Sequence, residues 1–323
     1  MPDEGPSPPW FNVFRCILLS LTTVLIIGGN SFCLLILRRV HGIHEVTRLF
    51  MASLALSDLL TGVFVALPMV VSTAMDRWPY GDTFCGIYGV GKYVCYYTGL
   101  ISLIAVTVER YIMVVCPLRY HTIVTLFRAR VAVAVIWLLA LAITMFFGGS
   151  VNFVGDVDED EDNCSLDTEK GDFWHYPLKY MAVVFILVPV VTVLVLYTHI
   201  LLIARRQICR IAAVAPLGPM SEEERAAVRT RQANRRAAGT FLIVTMAFAV
   251  AWMPSAVRKL NKLATGISDT MYTEFLARFC MLSNSWLNIF VYYIRNESFR
   301  QTARRYIAAI RGTRTSDAIE ISY

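Results

Sequence analysis

The hydrophobic residues of this chain are concentrated in seven long runs that are separated by polar connectors. Each run is long enough for a helix that crosses about 30 Å of hydrocarbon, so the pattern predicts seven membrane-spanning helices. The first run is too long for the core of a signal peptide, and we expect it to be retained as a helix. The runs are Val13–Leu37, Arg48–Thr73, Phe84–Val115, Val131–Phe147, Tyr176–Ile203, Ala237–Val257 and Met271–Ile294.

Positive charge is distributed unevenly between the connectors. Arginines concentrate after the first, third and fifth runs and in the C-terminal tail, whereas the opposite connectors are acidic, above all at Asp156–Asp162. By the positive-inside rule the N-terminus lies outside the cell and the tail in the cytosol, which predicts a multi-pass protein of the plasma membrane. The net charge of +6 then belongs to a cytosolic face suited to anionic lipids and an acidic protein partner, and it does not indicate nucleic acid binding.

The segment after the seventh run combines arginines with Phe299, Tyr306, Ile307 and Ile310, which predicts an amphipathic helix on the inner membrane surface. The predicted fold is therefore an all-α membrane protein, a seven-transmembrane helix bundle followed by this short helix. We expect Met1–Trp10 to be disordered. The predicted parts are an extracellular N-terminus (1–12), the bundle (13–294), the amphipathic helix (295–311) and a cytoplasmic tail (312–323).

Two of the eight cysteines, Cys85 and Cys164, fall in the outer, oxidising compartment. A disulfide between them would hold the acidic loop over the bundle. The same loop contains a glycosylation sequon at Asn163, although the neighbouring cysteine leaves its use open.

Several runs carry residues that are costly in hydrocarbon. Asp58 lies inside the second run, Glu109–Tyr111 ends the third, and Asn288–Tyr292 ends the seventh. Ionisable residues in a membrane usually mark function. The proline of Trp252–Pro254 removes one backbone hydrogen bond and favours a kink. Together these features indicate a membrane protein that changes shape.

Taken in order, one set per run, these motifs resemble those of the rhodopsin-like (class A) G-protein-coupled receptors. The resemblance extends along the whole chain, and the chain is loosely similar to amine and trace-amine receptors. It implies a receptor and not an enzyme, with an extracellular ligand, a heterotrimeric G protein and arrestin as partners, and no cofactor. The matching residues are Asn30, Leu54–Asp58, Cys85, Glu109–Tyr111, Pro117–Leu118, Trp137, Pro189, Tyr197, Phe248, Trp252, Pro254, Asn288 and Tyr292.

The resemblance assigns roles to part of this set. A rotamer change of Trp252 above Phe248 is the family's activation step, and the alternative is simple core packing of two aromatic residues. Arg110 is implied to meet the G protein, and the alternative is an arginine that anchors a helix end at the interface. The residues implied in activation and coupling are Glu109, Arg110, Tyr111, Tyr197, Phe248, Pro254, Asn288 and Tyr292.

The resemblance also implies an allosteric sodium ion, held by Asp58, Asn284, Ser285 and Asn288. The alternative is a polar network that bridges helices without an ion. Gly99 stands where the family usually offers a serine ligand, which weakens the sodium hypothesis.

Four residues depart from the family pattern. Ile289 replaces the proline of the last helix, Asn234 replaces a glutamate that pairs with the arginine, and Glu109 replaces an aspartate. Lys92 replaces the aspartate that binds the ammonium group in amine receptors. Because this inverts the charge, the sequence argues against a monoamine ligand.

The predicted ligand is instead acidic or zwitterionic, and a peptide is the alternative within the family. A carboxylate, sulfate or phosphate would suit a pocket with Lys92, Lys259 and Arg278. The alternatives are internal ones, in which Glu274 pairs with Arg278 one turn away and the acidic loop neutralises Lys92. The predicted pocket residues are Lys92, Tyr93, Tyr96, Tyr97, Met181, Trp252, Lys259, Glu274 and Arg278.

Other classes of protein fit less well. A retinal pigment needs a lysine where this chain has Leu282. A channel or transporter needs a polar path across the bilayer, and the sequence shows no internal repeat of the kind found in many transporters. An intramembrane enzyme needs a nucleophile with a base, and the five histidines are scattered near the ends of the runs.

Overall fold

The structure is a computed structural model. It describes residues 8–116, 119–148, 153–154, 165–166, 222–266 and 270–311, together with eight helical residues between 191 and 203. The elements are α1 (Pro9–Arg39), α2 (Glu45–Thr61), a π-helical turn (Gly62–Ala66), α3 (Leu67–Met75), α4 (Gly81–Val115), α5 (Tyr120–Ile123), α6 (Leu126–Gly148), β1 (Phe153–Val154), β2 (Ser165–Leu166), α7 (Glu222–Thr265), α8 (Met271–Arg295) and α9 (Glu297–Ile310).

Four of the described helices are long and apolar enough to cross a membrane. They are Pro9–Arg39, Glu45–Met75, Gly81–Val115 and Leu126–Phe146, with mean hydropathies of 1.9, 2.1, 1.6 and 2.3. Their lengths of 21 to 35 residues meet the roughly 20 residues that a bilayer requires. They match the first four predicted runs, and α7 and α8 contain the sixth and seventh.

Two predicted boundaries are wrong. Helix α1 begins at Pro9, so Pro9 and Trp10, which the sequence placed in a disordered N-terminus, are helical. Proline is favoured in the first turn because the missing N–H has no helical partner there. Pro216, Gly218 and Pro219 predict a linker over Ile211–Glu224, but helix α7 begins at Glu222 and includes the end of that range. A glutamate at a helix start is favoured by the helix dipole.

The helix Glu45–Met75 contains a π-helical turn just before Pro68. A proline lacks the amide hydrogen that continues an α-helix, and a π-turn is one way in which a helix accommodates the interruption. Gly62 begins this turn at the contact with α1. A Cβ atom at Gly62 would lie 2.8 Å from side-chain atoms of both Ile26 and Ile27. The absence of a side chain therefore lets α1 and the π-helical turn approach closely.

Helix α4 lies at the centre of the bundle and packs against α2, α6 and α7, while α8 packs against α7 and α1. Polar contacts connect several of these helices. Asn30 Nδ2 donates to the Ser285 carbonyl at 3.0 Å, joining α1 to α8. Trp137 Nε1 donates to Ser53 Oγ at 3.2 Å, and Ser53 and Ser102 are hydrogen-bonded at 3.2 Å, joining α6, α2 and α4.

The predicted amphipathic segment forms α9. The Asn296 side chain caps it by accepting from the Phe299 amide at 3.0 Å. The Phe299 ring is fully buried, 6.3 Å from that of Tyr292. On the other side, the Arg39 guanidinium lies 4.7 Å from the centre of the Tyr306 ring. These contacts hold α9 against the ends of α1 and α8.

One element was not predicted from the sequence. Strands β1 and β2 form a two-residue antiparallel pair in which Phe153 is opposite Leu166. The pair is part of the connector between the fourth and fifth runs, and both strands contact α4.

Candidate functional site

Arg110 and Glu109 form a buried ion pair near the end of α4. Arg110 Nε lies 2.5 Å from Glu109 Oε2, and Arg110 Nη2 lies 2.8 Å from Glu109 Oε1. The two side chains are only 5% and 2% exposed. Two parallel hydrogen bonds to a carboxylate fix the orientation of the guanidinium as well as neutralise its charge. This ion pair corresponds to the local pairing that the sequence analysis considered for Arg110.

Residues from α2 and α5 complete the surroundings of this pair. Thr47 Oγ1 accepts a hydrogen bond from Arg110 Nη2 and donates to Glu109 Oε1 at 3.1 Å. The Tyr120 hydroxyl donates to the same Oε1 atom at 2.5 Å. The carboxylate of Glu109 is therefore bound by donors from three different helices. We call Thr47, Glu109, Arg110 and Tyr120 the arginine cluster, and its side of the bundle the Arg110 end.

His44 extends the arginine cluster toward the connector between α1 and α2. Its Nδ1 atom lies 3.3 Å from the Tyr120 hydroxyl, and the two rings meet edge-on at 5.1 Å. The His121 ring lies 5.7 Å from His44 and 5.3 Å from Tyr120. Burial lowers the pKa of His44 from its ordinary value, partly offset by the negative charge of Glu109. Burial also raises the pKa of Tyr120.

Tyr111 pairs with a residue outside the arginine cluster, His199. Its hydroxyl lies 3.0 Å from Nδ1 of His199, and the two rings stack at 5.6 Å. This contact joins α4 to the fifth predicted helix. Tyr197 lies outside the described residues, as does the side chain of Asn234.

Trp252 and Phe248 stack one turn apart on α7, with ring centres 5.2 Å apart and planes at 24°. Tyr96 of α4 meets Trp252 edge-on at 5.4 Å. Pro254 lies inside the same helix, where it removes the hydrogen bond to the Val250 carbonyl. The structure therefore brings the predicted aromatic switch residues together beside a proline.

A cavity of about 20 Å³ lies beneath these rings, between α2, α4, α7 and α8. Its walls include Asp58, Asn284, Ser285, Asn288 and Gly99, so the predicted sodium ligands surround one space. Asn288 Nδ2 donates to Asp58 Oδ2 at 3.0 Å. A space of this size holds about one water molecule.

Three polar atoms in the walls of this cavity are buried without a protein partner among the described residues. They are the Trp252 Nε1 donor and the Oδ1 acceptors of Asn284 and Asn288. A buried polar atom without a partner is costly, so water or an ion in the cavity would relieve it. The two amide oxygens, with the Asp58 carboxylate, offer the oxygen ligands that hard cations prefer.

Lys92 lies toward the opposite end of α4, which we call the Lys92 end. Its Nζ atom lies 5.4 Å from the ring centre of Tyr88 and 5.5 Å from that of Tyr93. The rings of Tyr93 and Tyr97 stack at 6.2 Å. The face of an aromatic ring attracts a cation electrostatically, and the attraction is stronger where the cation is shielded from water.

Glu274 forms ion pairs with two arginines at the same end of the bundle. It accepts a hydrogen bond from Arg278 one turn later on α8, and its Oε2 atom lies 3.7 Å from Nη2 of Arg258 on α7. Glu274 is buried, whereas the Arg258 and Arg278 side chains are 23% and 21% exposed. We call these three residues the charged triad. The internal pairing of Arg278 that the sequence analysis left open is present.

Tyr96, which follows Lys92 by one turn, packs against the same buried hydrophobic cluster as Phe275, the residue after Glu274. The triad and Lys92 therefore approach the same region of the bundle. Cys85 is disulfide-bonded. Its predicted partner Cys164, the sequon at Asn163, the pocket residue Met181 and the side chain of Lys259 lie outside what the structure describes.

Comparison with known proteins agrees with this architecture. The family described as "7 transmembrane receptor (rhodopsin family)" matches residues 29–292. The human trace amine-associated receptor 8 is 26% identical over 93% of this chain and 88% of its own length. The human trace amine-associated receptor 6 is 27% identical over 93% and 86%. Squid rhodopsin superposes with a TM-score of 0.83 at 18% identity, covering 95% of this chain and 88% of its own.

A bundle with the arginine cluster at one end and a polar cavity in its core is the architecture of a seven-helix membrane receptor. The chain belongs to the rhodopsin family of seven-transmembrane receptors. It is therefore a G-protein-coupled receptor for an extracellular ligand, a multi-pass protein of the plasma membrane and not an enzyme. The predicted fold class is confirmed.

Sequence analysis missed four residues of the two charged sites. Thr47 of α2 and Tyr120 of α5 belong to the arginine cluster, His44 at the N-cap of α2 contacts it, and Arg258 completes the charged triad. For Arg258 a signal existed, because it is an ionisable residue beside Lys259 near the end of an apolar run. For the other three, only the rotation and spacing of neighbouring helices brings them to Glu109.

Proposed function

We propose that this receptor binds an acidic or zwitterionic ligand at the Lys92 end, which we take to face the outside of the cell. The observation that carries the proposal is the charged triad. Two arginines share the single carboxylate of Glu274, so the group of three keeps one net positive charge. Lys92 adds a second positive charge on α4, near aromatic faces that suit a cation.

An arginine that already pairs with a carboxylate still has donors for a second one. Each guanidinium has five N–H groups in a planar arrangement, and one carboxylate binds at most two of them in the fork geometry. Arg258 and Arg278 are about one-fifth exposed, so an anion from solution can approach them. A protonated amine would instead meet the net positive charge of Lys92 and the triad.

The test is a panel of carboxylates, sulfates, phosphates, zwitterions, peptides and monoamines on cells expressing the receptor, with cyclic AMP and calcium readouts. We expect acidic or zwitterionic compounds to activate, with potency reduced at least tenfold by Lys92→Ala or Arg258→Gln. Lys262→Gln, at an exposed position on α7, is the matched control. A monoamine that activates with equal potency in the Lys92→Ala variant would contradict the proposal.

Activation is proposed to run from the Lys92 end to the Arg110 end through the aromatic stack. A ligand that binds one of two conformations more tightly shifts the equilibrium toward it. Repacking of Tyr96, Trp252 and Phe248 would move α7 about Pro254, where one backbone hydrogen bond is missing. Outward movement of the Arg110 end of α7 would then let Arg110 and Tyr197 meet the C-terminal helix of a G protein α-subunit.

The role of Arg110 has its own test. Arg110→Ala should abolish nucleotide exchange on the G protein while leaving surface expression intact, and Arg119→Ala, at an exposed position in the same connector, is the control. Full exchange in the Arg110→Ala variant would exclude the role given to this arginine.

A sodium ion in the polar cavity is proposed as an allosteric modulator. Asp58, Asn284, Ser285 and Asn288 would hold it, and the amide oxygens without a described partner support this assignment. The ion would neutralise Asp58 and favour the inactive packing. Basal signalling that is unaffected by sodium both in the wild type and in the Asp58→Asn variant would contradict this proposal.

The remaining partners are proposed from charge. Exposed Arg304 and Arg305 on α9 suit anionic lipids of the inner leaflet, and arrestin would share the cytosolic face with the G protein. The N-terminus is then outside, with the Cys85–Cys164 disulfide and the Asn163 sequon. Epitope tags that react on the wrong faces of intact cells would contradict this orientation.

A further inference from the structure

The Tyr120 hydroxyl has one proton and two polar neighbours. It donates to Glu109 Oε1 at 2.5 Å, and it lies 3.3 Å from Nδ1 of His44. A carboxylate can only accept, so the phenol proton belongs to the bond with Glu109. The contact with His44 is then a hydrogen bond only if His44 Nδ1 carries a hydrogen and donates to the phenol oxygen.

This requirement selects one form of the histidine. A neutral imidazole carries hydrogen on a single nitrogen, and the hydrogen bond of the other ring atom decides which one. Burial lowers the pKa of His44 from its ordinary value, which favours the neutral ring. The neutral form that completes the contact is therefore the one with Nδ1–H.

We propose that His44 is a positioning residue for G-protein activation: its Nδ1–H donates to Tyr120, which holds Glu109 and through it Arg110 in the inactive arrangement. The proposal rests on the role proposed above for Arg110. His44 does not contact Arg110 by a hydrogen bond and acts through two intervening residues. The resulting series of hydrogen bonds connects three elements, from the N-cap of α2 through α5 to α4.

The importance of this series of hydrogen bonds follows from the residue at position 234. Asparagine there cannot form the charge-assisted pair with Arg110 that a glutamate forms in relatives. The restraints on Arg110 include Glu109 and Thr47 of the arginine cluster, and Nη1 of Arg110 also contacts Met113 Sδ at 3.4 Å. A donor that fixes Tyr120 on Glu109 therefore acts on a principal restraint.

The charges around His44 decide the direction of its pH dependence. Glu45 on its own helix and Glu109 on α4 favour the protonated ring, while Arg110 on α4 and His121 on α5 oppose it. Tyr120 of α5 accepts from it in either form. The effect of burial outweighs the effects of these neighbouring charges and lowers the pKa of His44. Protonation of His44 therefore favours conformations in which this side chain is more exposed. Acidification should therefore weaken the series of hydrogen bonds from His44 through Tyr120 to Glu109.

The experiment uses the full-length receptor in nanodiscs and measures GTPγS binding to added G proteins without any ligand, at matched receptor amounts. His44→Leu removes the donor. His44→Asn keeps an amide N–H near the place of Nδ1 and cannot titrate. Tyr120→Phe removes both bonds of the phenol. His41→Asn, at an exposed histidine in the same connector, is the control.

We expect basal exchange to rise about two- to tenfold in His44→Leu and Tyr120→Phe, as for loss of one hydrogen bond. Basal exchange in the double variant, which combines His44→Leu and Tyr120→Phe, should not exceed that of Tyr120→Phe alone. The reason is that both residues act through the same series of hydrogen bonds. His44→Asn should stay near wild type. Between pH about 7.5 and about 6, wild-type exchange should rise, and His44→Asn should remove that rise while His41→Asn does not.

A spectroscopic measurement tests the tautomer independently of signalling. In receptor with ¹⁵N-labelled histidine, the signal that His44→Asn removes should show a protonated Nδ1 above its pKa. A signal with hydrogen on Nε2 would overturn the proposal, as would equal basal exchange in His44→Leu and His44→Asn. Failure of the Arg110 role is distinguished by Arg110→Ala, which would then retain exchange.

Discussion

Arg258 of α7 reaches Glu274 of α8 across the helix interface, with Nη2 3.7 Å from Oε2, and Arg278 binds the other oxygen of the same carboxylate. Ser255 Oγ strengthens this contact between the helices by donating to the Ala277 carbonyl at 3.3 Å. The carboxylate therefore keeps two like charges together at the Lys92 end, where α7 packs against α8.

The first prediction concerns this carboxylate. Glu274→Gln removes the negative charge that two partly buried arginines share, so we expect a loss of stability of about 1–2 kcal/mol. This is less than for a fully buried pair, because both arginines are partly exposed. Thermal unfolding of the purified receptor should show a lower Tm. Arg258→Gln removes only one pair and should cost less. A Tm unchanged in Glu274→Gln would show that the triad contributes no stability.

The second prediction concerns basal activity. Asn234 stands where relatives have a glutamate that restrains the arginine, so we expect signalling without ligand. Losing about 1 kcal/mol from the inactive state raises a small active fraction roughly fivefold. Asn234→Glu should therefore lower basal G-protein activation at matched surface expression, and Asn234→Gln is the uncharged control. Equal or higher signals in the Glu variant would show that this position does not set the equilibrium.

The third prediction concerns the sodium cavity. A Cβ atom at Gly99 would lie 3.4 Å from Ser57 Oγ and 3.8 Å from Leu54 Cδ1, both ordinary contacts. A serine therefore fits and adds an oxygen near Asp58. We expect Gly99→Ser to make basal signalling more sensitive to sodium than in the wild type, while Gly99→Ala has no such effect. Identical sodium curves for the Ser and Ala variants would argue against an ion in this cavity.

The fourth prediction compares two glycines in contacts between helices with a third glycine that lies outside them. Gly62→Ala would place a Cβ atom 2.8 Å from branched side chains of α1, and we expect a cost of about 1–3 kcal/mol. Gly29→Ala meets Cδ1 of Ile289 at 2.6 Å, but this atom ends a flexible side chain and can move, so the cost should be smaller. Gly28→Ala meets nothing within 4 Å and serves as control. Tm values in any other order would contradict the packing described.

The role of Ile289 illustrates where sequence and structure differ. The sequence shows that the proline of related receptors is missing, and proline absence predicts a straighter helix. The structure adds that Ile289 lies against Gly29 of α1, within a continuous helix from Met271 to Arg295. The pairing of a bulky residue on α8 with a glycine on α1 depends on how the two helices are rotated, which neither segment encodes alone.

The sequence alone determined that the chain crosses a membrane repeatedly and that Asp58, Arg110 and Trp252 stand out within the apolar runs. These conclusions follow from local properties, because hydrocarbon excludes unpaired polar groups and requires helices of a minimum length. Only the tertiary structure decided which partners these residues have. Thr47 and Tyr120 reach Glu109, and Arg258 reaches Glu274, because helices distant in sequence pack at particular rotations and heights. Hydropathy specifies that a helix forms and which positions are apolar, whereas the contacts of its polar residues arise from close packing between helices.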